Sequence, residues 1–161
     1  MKKFITGCIF ALLLLCAANC CFAQSEQITN VPYKTAIQFN EVVRKHFDNA
    51  PQIDTAEYLN FPIGYRYRFG QISRPEEIIF VDYYLKKDKS TVSFVEVTGT
   101  RERILQFYTT YYMPAATGKQ MKDIPYWTNK GNEKVSIRMN QQGNLGKGNI
   151  QLGVITIKTV K

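Results

Sequence analysis

Ala36, Phe39, Val43 and Phe47 recur at intervals of three and four, with Val42 beside them and Lys34, Gln38, Glu41, Arg44 and Lys45 on the other faces. That period predicts an amphipathic helix burying one stripe. Asn30 is its expected cap and Pro32 its first-turn residue; Asn49, Ala50 and Pro51 end it near Asp48. Residues 24–29 are polar and expected to fray, and residues 52–64 hold no sustained period, with Pro62 and Gly64 as breakers.

The period then changes to two. Tyr65, Tyr67 and Phe69 alternate with Arg66 and Arg68, which predicts a half-buried strand with both guanidinium groups on the face opposite the aromatics. The apolar run 78–85 and the valine- and phenylalanine-rich run 91–98 flank a polar connection and predict an antiparallel hairpin. A second helix, capped by Thr98 or Thr100, gathers Ile104, Leu105, Tyr108, Tyr111 and Tyr112 on one face and ends before Pro114.

Beyond a linker containing Gly118 come a short segment at 124–128, a turn at 129–132, and a strand in which Val135, Ile137 and Met139 alternate with Ser136, Arg138 and Asn140. In the last strand Ile150, Leu152 and Val154 alternate before Ile155 and Ile157 shift phase, which predicts a bulge near Gly153. The order α-β-β-β-α-β-β-β defines the expected class: α+β, two amphipathic helices packed on an antiparallel sheet of about five to six strands. Ile37-Gln38-Phe39 and Leu105-Gln106-Phe107 hold matching places in the two helices, so an internal duplication with halves near 30–98 and 99–161 competes with chance similarity between two packed faces.

The start of the chain changes where this domain is expected to work. Lys2 and Lys3 precede an apolar run of about a dozen residues, the length of a signal-peptide core and short of the roughly 20 needed to span a bilayer. Cys21 and Ala23 supply small residues for cleavage before Gln24, so residues 1–23 read as a signal peptide and 24–161 as one domain of an exported, periplasmic or secreted protein. All 4 cysteines precede that cut, which leaves the exported chain without a disulfide. Lipid anchoring is the weaker alternative, because Cys20 follows Asn19 and Cys16 follows Leu15 rather than a small residue.

Composition and charge narrow the partners. A chain 45% hydrophobic and 13% aromatic has enough apolar surface for a core, and a formal charge of +8 favours attraction to anionic surfaces. For an exported protein these are phosphorylated glycolipids, acidic polysaccharides and anionic lipid headgroups, ahead of nucleic acid. No transmembrane segment is expected after the leader.

Candidate chemistry is sparse. The sole histidine, His46, reads as a partly exposed helix-end residue whose protonated form suits the helix C-terminus, and no serine elbow or thiol accompanies it. One histidine without cysteine does not make a zinc site, and the acids lack the spacing of a calcium loop, so no catalytic residue, metal ligand or cofactor is assigned. Gly143, Gly146, Lys147 and Gly148 read as a hairpin loop, because a phosphate loop would open a helix. The expected ligand-binding residues are Arg66 and Arg68, whose forks suit phosphate, sulfate or carboxylate, with Lys86, Lys87 and Lys89 extending the basic surface and Tyr126 and Trp127 forming an exposed aromatic rim.

The resulting expectation is a non-catalytic binding protein recognising an anionic envelope polymer or another secreted protein. Two other classes compete: a small glycan-active hydrolase or lyase, which needs two carboxylates in one cleft, and an inhibitor or assembly partner, which needs a contiguous exposed aromatic patch. An uncovered edge along 150–158 would allow a homodimer by sheet extension.

Overall fold

The computed structural model describes residues 27–113, 125–144 and 149–160. The expected signal peptide and cleavage site, all the cysteines, Pro114, the Gly118 linker and Gly146–Gly148 lie outside the described residues. A helical turn α1 (Tyr33–Ala36) leads into α2 (Phe39–His46), then strands β1 (Glu57–Asn60) and β2 (Ile63–Phe69), a 3-10 turn (Pro75–Glu77), β3 (Ile79–Leu85) and β4 (Val92–Thr100). Helix α3 (Arg101–Tyr111) and strands β5 (Trp127–Lys130), β6 (Glu133–Asn144) and β7 (Asn149–Thr159) complete the order. The fold is α+β: one antiparallel sheet of 7 strands in the order β1-β2-β3-β4-β7-β6-β5, with the helices on one face. None of its helices, among the described residues, is long and apolar enough to cross a membrane.

The N-terminal helical stripe is buried as its period requires, with Ala36, Phe39, Val43 and Phe47 all in the core. The helix is nevertheless in two pieces. Hydrogen bonds to the third residue back, Gln38 N–H to Thr35 and Asn40 N–H to Ile37, tighten the turn between them. Asn30 is not the cap: it adopts a left-handed φ of 60°, its N–H bonds to the Val92 carbonyl at 2.8 Å and its side-chain oxygen accepts from Lys86 Nζ. The fraying expected over 24–29 does not hold for Ile28 and Thr29, and residues 24–26 lie outside the described residues. Ile28 and Thr29 are buried because Glu133 Oε1 accepts from both their N–H groups and from the Thr29 hydroxyl, at 2.7–2.9 Å.

The sheet has more strands than the expected five to six, and its order differs. The additional strand is β1, a four-residue edge whose only partly shielded side chain is Leu59, so it carries almost no apolar alternation. The expected bulge at Gly153 is absent. Pairing between β4 and β7 runs without interruption through Gly99↔Gly153, and the irregularity lies across from it in β6, between Arg138 and Gln141. Leu152 and Val154 therefore stay on one face while Ile155 and Ile157 enter the core.

The two paired glycines let α3 lie close to the sheet: Ile104 fills the space where a Cβ on Gly153 would stand. Nor is 150–158 an edge, because β7 lies between β4 and β6; the edges are β1 and β5, both only 4 residues long. Between the helices, Phe107 meets Phe39 at 6.2 Å and Phe47 at 5.6 Å, so the aromatic ends of the two matching tripeptides share one cluster.

Candidate functional site

The helices cover the face of the sheet that bears Val81, Tyr83, Val95, Val97, Ile155 and Ile157. Among the described residues no helix lies over the opposite face, and strand register arranges it in rows. One row crosses all the strands: Trp127, Ser136, Thr156, Glu96, Asp82, Arg66, Glu57. The next, toward the hairpin turns, reads Asn129, Lys134, Lys158, Phe94, Tyr84, Gly64, Leu59. These rows form a groove of about 990 Å³ walled by aromatic and cationic side chains, chiefly Tyr84, Phe94, Trp127, Lys134, Arg138 and Lys158.

The aromatic floor is built by cross-strand pairing. Tyr84 and Phe94 oppose each other on β3 and β4 and stack at 4.3 Å. Lys158 Nζ lies 5.0 Å from the Phe94 centroid, and Lys134 Nζ 4.7 Å from that of Trp127. The two lysines are themselves direct cross-strand partners, and both are exposed. Like charges opposed in this way destabilise a sheet. Among the described residues neither has an acidic partner within ion-pair distance, so the groove carries two cations next to an apolar shelf.

Arg66, Asp82, Glu96 and Arg138 on this face are matched internally. Arg66 grips Asp82 through two hydrogen bonds of 2.7 and 2.8 Å, and Arg138 donates to Glu96, which also accepts from the Thr156 hydroxyl at 2.9 Å. Asp82 and Glu96 are cross-strand neighbours, which gives the pair of carboxylates a glycan hydrolase needs. Asp82, however, is only 2% exposed and held by Arg66, while Glu96 is occupied by Arg138 and Thr156. Burial, with the nearby Asp82 and Glu96 carboxylates, pushes the Tyr84 phenol up to about 12, so it stays protonated at neutral pH.

The residues nominated from sequence are on this face but at its two sides. Arg66 and Arg68 project together from β2, as alternation requires, with Arg66 bound to Asp82 and Arg68 to Asp54. Trp127, 53% exposed, stands on β5 beside Tyr126, 75% exposed, and both line the groove. Five strand spacings separate β2 from β5, roughly 24 Å. The structure therefore joins Tyr126 and Trp127 to Lys134 and Lys158 rather than to the arginines. Alternation along β6 and β7 exposes each lysine to sequence reasoning, but only the register puts one opposite the other.

His46 is the partly exposed helix-end residue expected, but the preference expected for its protonated form is reversed. Its ring lies edge-on to Phe47, Phe107 and Tyr111 at 4.7–5.4 Å, and burial, then Arg103, holds its pKa below the ordinary value. The protonated form is disfavoured, the reverse of support for the helix terminus. The unfolded chain takes up this proton first, so stability is expected to fall as pH drops through about 6.5 and to level off once the folded-state imidazole also titrates. Chemical denaturation of the protein and of His46→Leu across this range checks the expectation: the variant should lose most of the slope.

Comparisons of the chain with protein-family models, curated proteins and solved structures gave no match.

Proposed function

We propose that this is an exported, periplasmic, non-catalytic binding module that takes an anionic envelope polymer along the open face of its sheet. The observation that carries the reading is the opposed pair Lys134 and Lys158, exposed, without an acidic partner among the described residues, and set beside Trp127 and the Tyr84–Phe94 stack. Two adjacent ammonium groups match a ligand with repeated negative charge, and an anion between them relieves their mutual repulsion. The aromatic faces, continued by Tyr126, suit the less polar flank of a sugar ring. Arg66 and Arg68, already engaged with carboxylates, contribute to the face chiefly as structure, so the anion contacts move to the lysines while Tyr126 and Trp127 keep their role as the rim.

Retention of residues 24–161 on immobilised acidic polysaccharides across a salt gradient tests this reading. Each lysine accounts for about 1 kcal/mol or less at such an exposed site, so Lys134→Gln/Lys158→Gln should elute at clearly lower salt while its thermal stability, relieved of the repulsion between the pair, does not fall. Trp127 is the only tryptophan in the chain and stacks under Lys134, so ligand binding should also alter its fluorescence. Elution of the double variant with the unmodified protein, and emission indifferent to polymer, would remove the groove from the reading.

A further inference from the structure

A second surface lies at one end of the sheet. Pairing of Gly64 with Tyr84, Phe94 with Lys158 and Glu133 with Thr159 brings the turns 61–62, 86–91 and 131–132 together with the chain end after β7. Phe61, at the tip of the first turn, is 98% exposed. Val160 is 46% exposed on the other flank, where its N–H bonds to the Asn132 carbonyl. Between them the β3–β4 turn presents Lys86, Lys87 and Lys89, all exposed. Asp88, the one acid on these turns, is exposed, and its carboxylate closes the turn by accepting from the N–H groups of Ser90 and Thr91 at 2.9 Å, so three lysines outnumber one acid there.

We infer that this end of the sheet docks reversibly on an anionic lipid bilayer, with Phe61 entering the headgroup–acyl boundary and Lys87 and Lys89 beside it on the lipid phosphates. The inference goes beyond the groove reading and uses different residues. An apolar tip flanked by cations has the profile of interfacial insertion: the ring gains from leaving water, and the lysines gain from the negative surface potential while their stems lie along the boundary. A protein partner fits less well, because lysine is depleted at protein interfaces. One ring and a few lysines make attachment weak and salt-sensitive, consistent with a protein that associates with a membrane surface without spanning it.

Co-sedimentation of residues 24–161 with vesicles of phosphatidylcholine, alone or doped with phosphatidylglycerol, tests the inference. Partition should favour the doped vesicles and fall with salt. Phe61→Ser should weaken it about ten-fold, from the loss of one buried ring. Lys87→Gln/Lys89→Gln should weaken it about twenty-five-fold, each lysine near an anionic surface being worth roughly five-fold. Lys134→Gln/Lys158→Gln, set back along the strands from the tip, should weaken it less than Lys87→Gln/Lys89→Gln does, which separates this surface from the groove. In a Trp127→Phe background, Phe61→Trp should shift to the blue on doped vesicles and be quenched by brominated acyl chains. No pelleting with doped vesicles, equal pelleting with both compositions, pelleting indifferent to Phe61→Ser, or an unquenched Trp at position 61 would each overturn the inference.

Discussion

Arg66→Ala is expected to lower the stability of the fold by about 3 kcal/mol, a loss that belongs to the sheet rather than to a ligand site. Asp82 is in the middle of the open face with its side chain 3% exposed, and the Arg66 fork supplies both of its strong hydrogen bonds. Removing the fork leaves a buried carboxylate with the Tyr84 hydroxyl at 3.4 Å and Glu96 on the neighbouring strand. Arg66 itself is 35% exposed, so water can partly replace it, and the expected loss stays at the low end for a broken buried pair. It also forfeits the contact of the guanidinium with the Phe80 ring at 5.0 Å.

Urea unfolding of three variants separates the terms. Arg68→Ala breaks a pair exposed at both ends and should cost less than 1 kcal/mol. Arg66→Met/Asp82→Leu removes both charges and should recover most of the deficit of Arg66→Ala. Equal losses for the two single arginine variants would show that Asp82 does not depend on its partner. Loss of polyanion binding in an Arg66 variant is therefore not by itself a sign of an arginine ligand site; Lys134 and Lys158 are the sharper test.

What the sequence disclosed and what it withheld follow one physical division. Face was legible: period two put Arg66 and Arg68 opposite Tyr65, Tyr67 and Phe69, and period three to four put Ala36, Phe39, Val43 and Phe47 in the core. Register was not, because alternation within a strand says nothing about which residue of another strand lies beside it. Thus Arg66 reads as a free fork until β2 is paired with β3 and Asp82 comes alongside. Lys134 and Lys158, which carry no assignment from sequence alone, come to stand opposite each other only once β6 and β7 are paired.

Edges were the other blind spot. β1 packs little apolar surface and so leaves no periodic signal, and the absence of that signal reads as a loop. Short range limited the termini too. Nothing near Thr29 indicates that it will be buried, since its partner Glu133 is 104 residues away.

Gly153 gives the converse case, in which a residue read as a local irregularity serves tertiary packing. It has no left-handed φ to protect. A Cβ at this position would stand 2.8 Å from Ile104 Cβ and 2.9 Å from its Cγ2, atoms at the branch point of a side chain on α3 that cannot swing aside without moving the helix. Its partner Gly99 faces the softer Cδ1 ends of Ile79 and Ile104, which can rotate. Gly153→Val is therefore expected to cost about 3 kcal/mol, at the upper end for overpacking, and Gly99→Ala less. Gly153→Ala combined with Ile104→Ala should be more stable than the sum of the single effects predicts, by about 1 kcal/mol in a double-mutant cycle, because the smaller residue on α3 admits the new methyl. Additive losses would mean that the helix rests on the sheet through other contacts and that the glycine pair is not what sets its approach.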